Sequence, residues 1–402
     1  MVEECLLRGL PLKLSCPICE SQATVEFLTR PAVPAHQNLL LADSESAQAI
    51  ARGKLALRVC RACGFVFNDA FDPGLLSYGA AYDNTQTYSP AFNEYVEALV
   101  EDIATRTASS CRRVVEVGCG KGHFLTKLMH RLGPGHQGHG FDPTYVGPER
   151  QLDGRLTFHR TFYDEAAAHL AADVVVCRHV IEHVEDPVSL LRSVRRALGD
   201  ASGARVYFET PDVTWILRHR VVWDLFYEHC SLFTAGSLTA AFRRAGFVVD
   251  AVRRVFGEQY LWLEARPGKA DPVESGDAAE AVGLAQEYGA LERDLIARWQ
   301  QRLRQHALAG KVAVWGAGAK GVTFCNLADP DGRLVDCVVD LNPAKQGRSI
   351  AGTGHPIVAP AQLPQRGVRV ALVLNPNYHS EIATDLSQRG WDVSVVDVMA
   401  SW

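Results

Sequence analysis

Apolar and polar positions change rhythm repeatedly along this chain. Short apolar runs at Val114–Val117, Asp173–Cys177 and Val206–Glu209 are too brief for helices and predict buried strands, and Gly138–Asp142 predicts a strand end. Between them, apolar residues recur at helical spacing over Phe92–Ile103 and His123–Arg131. Asp186-Pro187 predicts an N-cap with proline at the first helical position, opening a helix through Leu198, and Thr234 predicts the cap of a helix to Ala245. Strands alternating with helices imply an α/β fold with a mostly parallel, doubly wound sheet. Phe247–Phe256 and Tyr260–Glu264 have no helix between them, which predicts an antiparallel closing pair. The run PGKADPVESGDA at 267–278 reads as a linker. Beyond it Leu284, Tyr288, Leu291, Leu295 and Trp299 mark a connecting helix, and a second βα series begins at Lys311–Trp315.

The 402 residues suit two to three domains, divided here into 1–70, 71–268 with a helical lead-in, a linker and connecting helix at 269–305, and 306–402. With 41 Lys and Arg against 46 Asp and Glu, the net charge of −5 argues against a nucleic-acid binder. No apolar run approaches a membrane span, and the first residues lack the basic and apolar regions of a signal peptide. The expectation is a cytoplasmic protein, monomer or homodimer, acting on a small molecule without nucleic acid or membrane.

Four of the 11 cysteines form two CxxC pairs, Cys16 with Cys19 and Cys60 with Cys63. Two such knuckles can close four thiolates around one structural Zn2+, provided the long insert folds back as a hairpin. The alternative is four buried or redox thiols. Cys5, Cys177, Cys230, Cys325 and Cys337 read as small buried residues.

Two glycine-rich turns stand at the starts of the two βα series. The first is Glu116-x-Gly118-x-Gly120-x-Gly122, with Asp142 at the next strand end. The second is Gly316-x-Gly318-x-Lys320-Gly321, with Asp340 and Asn342 following. In each, glycines permit a tight turn, a helix N-terminus faces the ligand, and the acid can take ribose hydroxyls. The second turn fits a nucleotide or nucleotide sugar with Lys320 near its phosphates, a purely structural turn, or NAD.

The first turn resembles the class I S-adenosylmethionine methyltransferases, a generic dinucleotide site being the alternative. The resemblance implies that Glu116, Gly118, Gly120, Gly122 and Asp142 bind S-adenosylmethionine, and that the segment with Cys177 and His179 faces it. In order, the double CxxC, this turn, Phe208–Pro211, the Trp223–Thr234 segment and the second turn resemble the nucleotide-sugar C-methyltransferases acting at C-3 of 4-keto deoxysugars. That family combines an N-terminal four-cysteine zinc module, a class I methyltransferase core and a C-terminal Rossmann-like domain. The likeness implies a base at Glu228-His229 and a second active-site histidine at His183, and the second turn is expected to hold the acceptor's nucleotide at Gly316, Gly318, Lys320, Asp340 and Asn342. The tyrosine that the family has two residues before the glutamate is Phe226 here, with Tyr227 beside it as a substitute. Tyr82 and Tyr88 are expected to close over the acceptor. The competing functions are O- or N-methylation of another small metabolite, and a non-catalytic, zinc-anchored nucleotide-binding module.

Overall fold

The computed structural model describes residues 15–79, 81–199, 203–269 and 276–400. Cys5 and residues 270–275 of the expected linker lie outside them. The predicted alternation of strands and helices is present in full. An eight-stranded sheet runs in the order Phe247–Val255, Tyr260–Pro267, Arg205–Pro211, Val174–Arg178, Arg113–Val117, Gln137–Phe141, Leu156–His159, Arg150–Gln151. Its five strands from Arg205–Pro211 to Leu156–His159 are parallel. Phe247–Val255 and Tyr260–Pro267 close one side as the expected antiparallel pair.

The caps read from sequence form as hydrogen bonds. Asp186 accepts from Ser189 N at the head of Pro187–Leu198, and Thr234 forms a capping box with Ser237 ahead of Ala235–Arg244. A second sheet, parallel throughout, orders Ile357–Val358, Val335–Val339, Lys311–Trp315, Val368–Val373 and Ser394–Asp397.

The cysteine module is a long hairpin, Thr24–Pro34 against Arg52–Cys60, continued by Val66–Asn68. Its sheet does not stop at residue 70, because Ser231–Leu232 pairs onto Val66–Asn68. The connecting helix runs Ala278–Ala309, so the boundary expected at 306 falls inside it. One apolar core explains both differences. Leu55 and Leu57 of the hairpin, Trp223 and Leu225, Tyr288 and Trp299 of the long helix, and Val312 and Leu372 of the second sheet pack in a single cluster. Arg30 fastens the same region, donating to Glu292 Oε1 at 2.8 Å and to the carbonyls of Leu225 and Val222. Burying such a guanidinium is tolerable because each face of it meets an acceptor.

Candidate active site

The first glycine turn is built by backbone geometry. Gly118, Gly120 and Gly122 all have positive φ, which glycine adopts without a Cβ penalty. A Cβ on Gly118 would sit 2.0 Å from Val180 Cγ2, and one on Gly122 would sit 2.6 Å from the Phe158 ring. A Cβ on Gly120 would meet nothing within 4 Å, so that turn opens onto free space. Asp142 fixes the turn: Oδ2 accepts from Gly120 N at 2.8 Å, and Oδ1 accepts from Thr144 N at 2.7 Å. Glu116 lies beneath. It is buried and accepts from Leu125 N at 3.1 Å, capping from a distance a helix, His123–Leu132, whose own N-cap is Gly122. Burial pushes its carboxyl up to about 8. Glu116 is therefore a strut under the turn rather than a surface group. Cys177, expected to face the cofactor, is fully buried with its side chain in the core beside Val115 and Val175. Strand alternation sends Arg178 to the other face.

On the far side of that strand end a cavity of about 260 Å³ opens between the two sheets. His179, His183 and His229 line it, together with Tyr82, Tyr88, Gly316, Gly318, Lys320 and Asp340. The histidines and the second glycine turn, 87 or more residues apart in sequence, thus share one space. Phe226 also lines it, with its ring 4.1 Å from that of His229.

His229 is 8% exposed and packs edge-on to His183 with centroids 4.8 Å apart. Its Nδ1 is buried without a hydrogen-bond partner. Burial, followed by the nearby His183, His179 and Lys320 charges, holds the imidazole well below the ordinary histidine range. It is neutral near pH 7, the form that accepts a proton. His183 Nδ1 lies 3.3 Å from the Tyr78 hydroxyl.

His179 occupies the cavity rather than the cofactor turn. Its φ is +54, a left-handed conformation uncommon for a side-chain-bearing residue. Nδ1 lies 3.3 Å from Glu182 Oε1, and Nε2 lies 3.5 Å from Glu209 Oε1 without hydrogen-bond geometry. Burial opposes its charge, but the Glu209 and Glu182 carboxylates outweigh it and raise the imidazole to about 9. Glu209 is itself held to about 2, against burial, by Arg178 and His179. Arg178 Nε donates to Glu209 at 2.5 Å, and the Tyr95 hydroxyl donates to the other carboxylate oxygen. Glu182, Glu209, Tyr95, Arg178 and Tyr78 are thus site residues that sequence reading did not assign. The available signal was two carboxylates, Glu182 and Glu209, beside apolar strand ends.

Two expected catalytic residues face elsewhere. Tyr227 is buried under Gly53, where a Cβ would lie 2.2 Å from its ring, and its hydroxyl accepts from Asp72 N at 2.7 Å. It does not line the cavity and cannot replace the missing tyrosine. Glu228 is fully buried and bonds His36 Nδ1 at 3.1 Å and Gln37 N at 2.9 Å, with the Tyr82 phenol against it. Adjacent residues outside a helix need not share a side.

In the second turn Ala317 N donates to Asp340 Oδ2 at 2.9 Å, and Asn342 N donates to Oδ1 at 2.8 Å. Lys320 reaches Asp224 at 2.5 Å and Gln259 at 3.3 Å. Lys345, also on the wall, donates to Ala317 O at 3.1 Å. Asn342 lies behind the wall, donating to Asp83 Oδ2 at 3.0 Å, and is a support of the turn.

Two side-chain sets have metal-ligand spacing among the described residues: the four cysteines, and Glu182 with His183 and His229. In the cysteine set, Cys16 Sγ lies 3.6 Å from Cys63 Sγ and Cys19 Sγ lies 3.5 Å from Cys60 Sγ. Tetrahedral thiolates on zinc stand about 3.8 Å apart, given Zn–S bonds of about 2.3 Å, so the donors fit. In the second set Glu182 is already engaged by His179 and Thr210, and His183 by Tyr78.

Comparison with known proteins agrees with this layout. Residues 90–252 match a methyltransferase domain, and residues 285–396 match the C-methyltransferase C-terminal domain. The C-methyltransferase NovU of Streptomyces niveus is 26% identical over 397 residues, 91% of this chain and 90% of that protein. Together these matches support S-adenosylmethionine-dependent C-methylation by this chain. A ubiquinone biosynthesis O-methyltransferase of Sodalis glossinidius is 36% identical over 105 residues, but only 25% of this chain and 41% of that protein are covered. A solved O-methyltransferase family protein from Burkholderia thailandensis covers 45% of this chain and 59% of its own at 18% identity, with a TM-score of 0.35, too low to add to the assignment. Among the described residues no helix is long and apolar enough to cross a membrane.

Proposed function

We propose that this enzyme methylates the carbon next to the ketone of a nucleotide-linked 4-keto sugar through an enolate. The observation that carries the reading is the shared cavity, with a neutral, unpartnered histidine at one end and a glycine turn with two lysines at the other. S-adenosylmethionine supplies an electrophilic methyl group, so the protein's task is to bring a carbon nucleophile in line with it. His229 removes the proton α to the ketone, and His183 donates a hydrogen bond to the oxygen as negative charge develops there. His179, held charged by Glu209 and Glu182, presents an Nε2–H without a hydrogen-bond partner at the same wall. Gly120 and Asp142 hold the cofactor. Gly316, Gly318, Asp340 and the Lys320 and Lys345 ammoniums receive the acceptor's ribose and diphosphate. Tyr82 and Tyr88 flank the acceptor.

Incubation with methyl-labelled S-adenosylmethionine and a panel of 4-keto nucleotide sugars tests the reading. Label should appear on carbon of one acceptor, and labelling only on oxygen or nitrogen would replace it with O- or N-methylation.

The four cysteines are proposed to hold a structural Zn2+. A full thiolate sphere leaves no open position for chemistry. Elemental analysis should find about one zinc per chain, and Cys60→Ser should lose both metal and folded protein. A metal-free Cys60→Ser that melts like the wild type would rule the assignment out.

A further inference from the structure

We propose that His36, from the cysteine module, is a positioning residue: gripped by Glu228, it fixes the Ser77–Tyr78 turn so that the Tyr78 hydroxyl meets His183. The inference rests on reading the cavity as the acceptor site.

Glu228 and His229 are neighbours in sequence that serve opposite sides of the same wall. His229 faces the cavity, while Glu228 bonds His36 Nδ1 and Gln37 N and also meets the buried Tyr82 phenol. The His36 ring is 3% exposed, and its Nε2 lies 2.8 Å from Ser77 N. A backbone N–H can only donate, so Nε2 carries the lone pair and Nδ1 carries the proton toward Glu228. One tautomer satisfies both neighbours, and the ring therefore locks the Ser77 backbone to a buried carboxylate 151 residues away.

Ser77 is next to Tyr78, whose ring stands edge-on to His36 at 5.6 Å and edge-on to His183 at 6.2 Å. Burial, followed by the Glu228 charge, raises the Tyr78 phenol far above its ordinary range, so it stays protonated. With the phenol donating to Nδ1 of His183 across 3.3 Å, the His183 proton resides on Nε2. His183 then keeps one N–H to offer an enolate oxygen. The route Glu228, His36, Ser77, Tyr78, His183 sets which nitrogen carries that proton. It gives the cysteine module a part in the site beyond stability, and gives Glu228 a use other than that of a base.

The test separates the two ring contacts. His36→Asn keeps an amide donor near Glu228 but offers Ser77 no acceptor, whereas His36→Gln places a carbonyl oxygen where Nε2 was. His36→Asn should lower kcat by about 10–100-fold, with unchanged S-adenosylmethionine affinity, and His36→Gln should restore much of it. Nitrogen NMR of the imidazoles supplies a readout that needs no acceptor. His183 should be a single Nε2–H tautomer in the wild type and an exchanging mixture in His36→Asn. Tyr78→Phe, which leaves His36 in place, should produce the same mixture and covers the case in which His36→Asn does not fold. An unchanged His183 tautomer in Tyr78→Phe, or in a folded His36→Asn, would overturn the inference whatever the rate. A wild type that methylates no keto sugar would count against the acceptor reading alone, because the NMR result still decides this one.

Discussion

The two glycine turns share a hydrogen-bond frame but differ in backbone and in the charge around them: Gly118, Gly120 and Gly122 are all left-handed, whereas in the second turn Gly316 has a positive φ and Gly318 is extended. In each, the first glycine donates to the neighbouring strand end: Gly118 to Phe141 O at 2.8 Å and Gly316 to Val339 O at 2.7 Å. In each, an aspartate at that strand end accepts from a turn N–H and from the residue two positions on. Around the first turn stand a stacked Tyr145–Phe158 pair 4.2 Å apart and the buried Glu116, while Lys121 points to Thr144 O. Around the second stand Lys320 and Lys345, both on the cavity wall. S-adenosylmethionine carries a sulfonium and no phosphate, whereas a nucleotide diphosphate carries two or more negative charges. In the proposed reading, one hydrogen-bond frame serves either ligand, and the backbone and side chains beside it select which.

That contrast is open to direct attack, beginning with the largest effect. Asp142→Ala should weaken S-adenosylmethionine binding by about 10–150-fold and leave acceptor KM alone, and Asp340→Ala should do the reverse, each losing charged hydrogen bonds worth about 1.5–3 kcal/mol. Calorimetry for the cofactor and steady-state KM for the acceptor read the two arms. A variant that weakens both ligands equally would mean that the turns are not separate sites.

Lys320→Met should raise acceptor KM by a smaller factor, about 10-fold, because the ammonium is shared with Asp224 and Gln259 before any phosphate arrives. Raising the salt concentration should mimic this for the acceptor and not for the cofactor. Equal salt sensitivity of both ligands would remove the charge distinction between the turns.

The third effect concerns stability rather than binding, and it belongs to the wall between the turns. His179 is raised from the ordinary 6.5 to about 9, so its contribution is fully present below pH 6.5 and is lost as pH climbs through about 9. At 1.36 kcal/mol per unit the loss is at most roughly 3 kcal/mol, counted once for the His179–Glu209 pair. Urea melts at pH 6.5 and 9.5 should show it in the wild type and lose most of it in His179→Gln. A wild type whose stability is level across that window would contradict a charged His179.

Much of the architecture is legible in the chain because the signals are local. Asp186 and Thr234 cap their helices through bonds to residues three positions away, as their local pattern predicts, and the first glycine of each turn bonds the next strand end 23 positions on. The His229, His183 and Lys320 positions are legible too, and one cavity collects them. What stays hidden is direction and distance. Tyr227 and Glu228 carry the expected chemistry, but irregular backbone turns them toward Asp72 and His36. Cys177 follows strand alternation into the core, a face that the resemblance alone does not specify. The Glu228 partner lies 192 residues away, and the shared core of hairpin, long helix and second sheet is likewise a product of tertiary packing that domain-wise reading divides.

Solvent exchange at the acceptor carbon tests the central claim, that His229 removes a carbon-bound proton in the shared cavity, most directly. In heavy water the wild type should place deuterium on the carbon next to the ketone of its acceptor, and His229→Asn should lose exchange and methylation together, by about 10²–10⁴-fold, while still binding S-adenosylmethionine. Exchange at the wild-type rate in His229→Asn, or methylation of an acceptor with no proton on that carbon, would contradict it.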